Sequence, residues 1–328
     1  MKWIRQFEYD SLKPLLEIDD DLIQYHMEKY LLDKTIRTPH FPSKHDRANE
    51  ILRYQQDNGS WPDKRKKQHK NINTNYELLE TYRYVAQLIY FFDMDKSFPP
   101  MRKAAEFLFT AQTGEGDFRG IYGNQYTPNY SAAVLELLCR LGYHDDKRVI
   151  KSFEWLLSFE QNSGGWILPM QMPQISKKPT DLYNEDPIPP DKKLPFSHWV
   201  TGIVLRAFSQ HPKYKQHPSA KLAGNLLATR FFEKDKYSAR SAAEYWTKYS
   251  YPFWWTDLIS ALDSLTLLNF SYDHPDINRA LNYFRRTQNK DGSWNLYILK
   301  GKSFPYLHWW VHYHVCLIFK RFYQKGYM

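Results

Sequence analysis

Three groups of side chains have the types and spacing to do chemistry. The first is Trp254-Trp255-Thr256-Asp257, where a carboxylate follows two indoles. An acid walled by aromatic rings loses hydration of its charged form, so its pKa rises and it can act as a general acid. The competing reading of Asp257 is a helix-start carboxylate satisfied by local N–H groups. Asp263, six residues on, is a weaker acid candidate. The second group is His308, His312 and Cys316, spaced i, i+4, i+8 on one helix face, with His198 as an outside partner. Imidazole and thiolate suit zinc, but an aromatic–histidine stripe packed inside the protein explains the same spacing, and no metal is expected. The third is aromatic: Tyr76, Tyr130, Trp199, Trp254, Trp255, Trp309 and Trp310, joined by His312, offer π-faces that attract cations without acting as nucleophiles. Each of these rings could equally be packing.

These residues are positioned by two interleaved repeats. The segments 51–61, 104–118, 153–166 and 280–294 each read as an amphipathic helix ending in Gln, then a polar Gly-containing turn, then an aromatic residue: Gln56 to Trp61, Gln112 to Phe118, Gln161 to Trp166 and Gln288 to Trp294. The glycines fit a positive-φ helix stop. A second repeat starts helices richer in apolar residues at 127–138, 194–208, 251–265 and 304–319, with 74–88 as a relative lacking proline. Pro128, Pro195, Pro252 and Pro305 suit a first helical turn. Copies recur roughly every 53 to 67 residues, the period of a helix pair. Apolar periodicity predicts helices near 20–34, 43–57, 74–93, 98–112, 127–142, 146–161, 196–210, 217–232, 252–268, 273–288 and 305–324, with a short one near 8–16. No strand pattern of useful length competes. The expectation is an all-α protein, a single domain over 1–328 in which six inner and six outer helices form a double ring, with a Pro-rich rim insertion at about 169–195.

The Gln–Gly–Trp turns resemble the QW repeats of the squalene cyclase and protein prenyltransferase superfamily, with the 112–118 copy degenerate. The resemblance extends over essentially the whole chain, and it implies an (α/α)6 toroid with a central aromatic-lined cavity. It further implies an isoprenoid or other apolar small-molecule substrate, cyclised or isomerised by protonation. Asp257 is then the acid, His198 and His308 orient it or remove the terminating proton, and the aromatic residues above with His312 line the wall. Two family signatures are absent. The nearest approach to the Asp-x-Asp-Asp motif of the cyclases is Asp93-Met94-Asp95-Lys96, at a helix end. The Asp-x-Cys zinc pair of the prenyltransferases is replaced by Leu137 before Cys139 and His314 before Cys316. A non-catalytic lipid-binding or protein-interaction toroid therefore stays open. So does a carbohydrate-active double ring, with Glu77 or Glu80 paired with Asp257.

Composition narrows the classes. Aromatic residues are 17% of 328 while glycine numbers only 13, which argues against a Gly-loop nucleotide enzyme. Two cysteines cannot build a disulfide framework or a four-cysteine zinc site. Mean hydropathy is −0.67, no apolar run of membrane-spanning length occurs, and MKWIRQFEYDSLK lacks a secretory core, so a cytoplasmic protein without cofactor is expected. The net charge of +9 includes Lys64, Arg65, Lys66, Lys67, Lys70, Arg119, Lys300 and Lys302 in the expected rim loops. Such loops favour a diphosphate, an acidic substrate or peripheral contact with an anionic membrane, or are simply solvated. No nucleic-acid motif is present.

Overall fold

The computed structural model describes residues 1–36, 41–63, 74–237, 240–300 and 306–324. Among them the chain is all-α. The helices are α1 (Lys13–Leu16), α2 (Asp21–His26), α3 (Asp46–Leu52), α4 (Tyr76–Phe92), α5 (Pro99–Phe109), α6 (Pro128–Arg140), α7 (Lys147–Ser158), α8 (His198–Gln210), α9 (Pro218–Thr229), α10 (Leu258–Leu267), α11 (Pro275–Thr287) and α12 (Leu307–Tyr323). Every periodic segment has its helix, although α2 passes into a π turn at Met27–Leu31. One difference is a short parallel pair, β1 (Lys248–Ser250) with β2 (Tyr297–Lys300), too short to leave an alternating signal in the sequence.

Two compact units form. A terminal unit holds the described residues of 1–39, 224–234 and 242–328, and a middle unit those of 40–223 and 235–241. Within the middle unit α6 packs on α4, α7 and α8; within the terminal unit α10 packs on α12. Helices α6, α8, α10 and α12 are buried on most sides, whereas α5, α7 and α11 bury one stripe, such as Val149, Phe153 and Leu156 of α7. This matches the richer apolar content of the second repeat.

Proline marks the first turn at Pro128, and also at Pro99 and Pro275. It does not at Pro195, where Ser197 caps α8, nor at Pro252, which follows a cis peptide and precedes α10 by several residues. Pro305 lies outside the described residues. Helix α10 therefore starts at Leu258, later than the periodicity predicts.

The repeated turns are joined by side chains that are the expected glutamines in two copies, Gln112 and Gln288, and stand one residue earlier in the other two. The tying residue stands six before the aromatic ring in each copy. Gln55 Nε2 donates to Gly59 O (3.0 Å) and Pro100 O (2.8 Å), Gln112 Nε2 to Gly116 O (3.3 Å) and Arg148 O (2.8 Å), and Gln288 Nε2 to Gly292 O (3.1 Å) and Tyr9 O (3.1 Å). In the fourth copy this place belongs to Glu160, which accepts from Ser219 Oγ at 2.6 Å. Gln56 and Gln161, expected in that role, bond instead to Ser60 and to the Asp191 and Leu194 carbonyls. Each indole N–H of Trp61, Trp166 and Trp294 donates to the carbonyl ten residues earlier, at 2.7–2.8 Å, which satisfies an otherwise costly buried donor. Gly59 and Gly292 both have φ of 90°, and a Cβ on either would overlap a neighbouring main-chain carbonyl, Lys103 or Asp10 respectively.

The Pro-rich segment 169–195 is ordered by glutamines. Gln125 Nε2 donates to Leu182 O (2.6 Å) and its Oε1 accepts from Ile188 N (3.1 Å), while Gln161 holds the segment's end. Ile167, Met172 and Tyr237 form a small core beneath it. Its acidic residues Asp181, Glu185, Asp186 and Asp191 are exposed.

Candidate functional site

The expected site residues fall into a terminal-unit set and a middle-unit set. In the terminal unit, β1 leads into the 251–256 loop and then Asp257, which is fully buried and is the N-cap of α10 rather than a residue about a turn inside it. Its Oδ1 accepts from Ser260 N at 2.8 Å and its Oδ2 from Ser250 N at 3.2 Å, while its own N–H donates to Ser260 Oγ at 2.9 Å. This is a reciprocal capping arrangement, and backbone N–H bonds favour the charged carboxylate.

The loop leans on the first turns of α12 through rings. Tyr251 stacks on Trp310 at 5.9 Å and 11°, Phe253 meets His314 edge-on at 4.8 Å, and Trp254 meets Trp255 edge-on at 6.5 Å. Trp255, Trp310 and His312 are buried; Trp254, His308 and Trp309 are half-buried. Trp254, His308 and Trp309 are thus the partly accessible rings of this set, and Trp309 contacts His308 and His312 at 5.1 and 5.5 Å.

His312 Nε2 lies 2.8 Å from the Ser11 carbonyl, so Nε2 carries the proton and Nδ1 is a buried acceptor without a hydrogen-bond partner among the described residues. Burial lowers its pKa to about 4. Burial also lowers that of His308, so both rings are neutral at pH 7. Cys316 Sγ contacts the same Ser11 carbonyl at 3.8 Å, and burial raises its thiol to about 12, which opposes the thiolate a metal needs. Among the described residues no group of three His, Cys, Asp or Glu side chains is placed to hold a metal ion.

A carboxylate–histidine pair that the spacing did not reveal lies nearby. Asp263 on α10 accepts from His314 Nε2 at 3.1 Å and from Arg321, both on α12. The available signal was one carboxylate in the otherwise uncharged helix LISALDSLTL, since a buried charge demands partners.

In the middle unit, His198 and Trp199 begin α8, and both are buried. Asp235 Oδ2 accepts from Ser197 Oγ (2.8 Å) and Trp199 N (3.0 Å) and stands 3.7 Å from His198 Nε2. Tyr76 and Tyr130 are half-buried, with Tyr130 edge-on to Tyr122 at 5.0 Å. Deeper lies a second unforeseen group. Glu136 on α6 pairs with Arg206 of α8 at 3.1 Å and Arg140 at 3.0 Å, and accepts from the Tyr90 hydroxyl of α4. Burial pushes the Tyr90 phenol well above its ordinary pKa. Glu77, the glycosidase-type candidate, is held by Ser60 and Gln56, and Glu80 is paired with Arg83.

The expected basic rim is mostly beyond description: Lys64, Arg65, Lys66, Lys67, Lys70 and Lys302 lie outside the described residues, as does the Lys300 side chain. Arg119 is inside them. Its guanidinium bonds to Asp117 and Glu115 and covers the Tyr126 ring at 4.6 Å, so its charge is already matched. Among the described residues no helix is long and apolar enough to cross a membrane.

No family model and no curated protein matches the chain in sequence. Among solved structures, a protein from Actinoplanes is similar over 98% of this chain and 89% of its own, with 13% identity and a TM-score of 0.43. The type II terpene cyclase MstE from Scytonema, without ligand, is similar over 78% and 81%, with 12% identity and a TM-score of 0.31.

Proposed function

We propose that the protein binds an apolar, unsaturated chain of the isoprenoid class against the aromatic wall of the terminal unit. The observation that carries this reading is the half-buried trio Trp254, His308 and Trp309, backed by the buried Tyr251–Trp310 stack. Indole faces supply apolar contact area with little entropy loss on binding, and they tolerate positive charge developing on an alkene. The neutral His308 adds a base that carries no charge to repel such a cation.

Turnover is the stronger form of the same reading: Asp257 protonates the chain and His308 removes the terminating proton. In that form Asp257 gives up a bond from Ser250 or Ser260 to hold its proton. Binding alone leaves Asp257 as the cap that fixes the loop.

The test uses linear isoprenoid alcohols and their diphosphates. Saturable quenching of tryptophan fluorescence that is lost in Trp309→Ala supports binding. A cyclic or isomerised product, detected by gas chromatography–mass spectrometry and lost in Asp257→Asn, supports turnover. Absence of saturable quenching with every chain tested rejects both forms.

A further inference from the structure

The middle unit carries a groove of about 590 Å³, within the range of small-ligand sites, whose main side chains are Thr74, Asn75, Arg119, Asn124, Tyr183 and Asn184. Main-chain bonds fix its three walls to one another: Asn75 N donates to Gly120 O at 2.7 Å, Gly120 N to Gly123 O at 3.0 Å, and Asn124 N to Tyr183 O at 2.8 Å. Gly123 has φ of 57° and a Cβ there would overlap the Tyr183 carbonyl, so glycine is what lets these walls approach.

The lining has a definite chemistry. Asn75 uses its Oδ1 to cap α4 at Leu78 N (2.9 Å), which leaves its amide N–H groups to donate. Asn124 is engaged at both ends, its Oδ1 accepting from Arg119 at 3.2 Å and its Nδ2 donating to the Glu185 carbonyl at 3.3 Å. Thr74 and Asn184 are partly or fully exposed and make no hydrogen bond to a described residue. Arg119 brings one positive charge against the two carboxylates of Asp117 and Glu115, a balance that disfavours an anion. Tyr183 is 8% exposed and lies on Tyr122 at 5.7 Å and 25°, so it offers little face to a flat heteroaromatic ring.

What remains is a ligand that donates and accepts at each polar atom and bears no charge. Carboxamides and a threonine hydroxyl match vicinal hydroxyl groups in this way. We infer that this groove is a binding site for a neutral saccharide unit. It is independent of the apolar-chain reading of the terminal unit.

Isothermal titration calorimetry with glucose, galactose, mannose, N-acetylglucosamine and maltose tests the inference, beside inorganic phosphate and diphosphate. At least one sugar is expected to bind saturably. Asn184→Ala and Thr74→Val, both outside the folded core, are each expected to weaken that binding roughly three- to tenfold, the value of one lost hydrogen bond, with no change in thermal unfolding. Trp309→Ala should leave sugar binding unchanged, so failure here is separable from failure of the isoprenoid reading. Absence of binding by all five sugars overturns the inference, as does sugar binding indifferent to both groove variants, or binding of phosphate or diphosphate that Asn184→Ala weakens.

Discussion

At the start of α12 a tryptophan and a histidine, Trp309 and His308, stay half-buried while the nearby carboxylate of Asp257 is fully enclosed by main-chain donors. In the groove of the middle unit the exposed groups are the carboxamides of Asn75, Asn124 and Asn184, and the aromatic ring, Tyr183, is the buried one. The contrast follows from what the local backbone requires. The 251–257 loop must carry the chain from β1 into the first turn of α10, so its acid is consumed by N–H groups and its rings are left over. The 119–124 turn satisfies its backbone through glycines and carbonyls, and Asn75 uses only its Oδ1 to cap α4, so the Asn75 amide N–H groups and the Asn184 carboxamide are left over. The ligand chemistry proposed for each place follows from what the fold did not use.

The largest test of this contrast separates two adjacent tryptophans. Trp310→Ala removes a fully buried ring and is expected to cost about 3–5 kcal/mol in urea unfolding. Trp309→Ala removes a half-buried one and is expected to cost less than about 2 kcal/mol while abolishing quenching by isoprenoids. Equal losses would show that Trp309 is core.

Acid titration comes next. His312 has a folded pKa of about 4, below its unfolded value near 6.5, so the unfolded chain takes the proton first as pH falls. The stability this group provides is complete above about pH 6.5 and is lost as pH drops through 4, up to about 3 kcal/mol. His308 and His211 are lowered in the same direction. Urea midpoints at pH 7 and 5 measure the loss, and His312→Gln should reduce it. Sugar affinity should stay flat over the same range, because Arg119, the one charged residue among the described lining, is shifted upward by its acidic partners. A groove that titrates with the histidines would erase the contrast.

Asp257→Ala should cost about 1–2 kcal/mol, since a cap is lost and Ser250 N is left without its acceptor. Asp257→Asn should cost less, because asparagine caps as well as aspartate. A product lost in the asparagine variant with stability preserved would return Asp257 from cap to acid. The smallest expected effect is Asn184→Ala, within about 0.5 kcal/mol on unfolding.

Much of the fold was legible because each helix advertises itself locally: apolar spacing placed α4 through α8 and α11 within a few residues, and Pro128 marked its own first turn. The start of α10 was misplaced because Pro252 reads the same whether it opens a helix or bends an extended loop; the cap at Asp257 was the deciding signal. The tying glutamine was misassigned at Gln56 because Gln55 and Gln56 are adjacent, and only the next helix's carbonyl distinguishes them. For the site, sequence spacing named the aromatic residues but not their exposure. It missed Asp263 with His314 and Glu136 with Arg206, because pairing between helices depends on tertiary packing that a one-dimensional pattern does not carry.

The Gln288 tie runs both ways: its amide donates to Tyr9 O and its Oε1 accepts from Tyr9 N, 279 positions away. Arg285 reaches Gln6, His312 reaches Ser11 and Lys320 reaches the Tyr30 carbonyl across similar spans. During vectorial synthesis Gln6, Tyr9, Ser11 and Tyr30 therefore emerge about 280 to 300 positions before these partners, with Trp3, Leu15 and Leu22, all buried in the finished protein, uncovered meanwhile. Contacts of such span form late, which makes residues 3–30 a natural point for chaperone engagement.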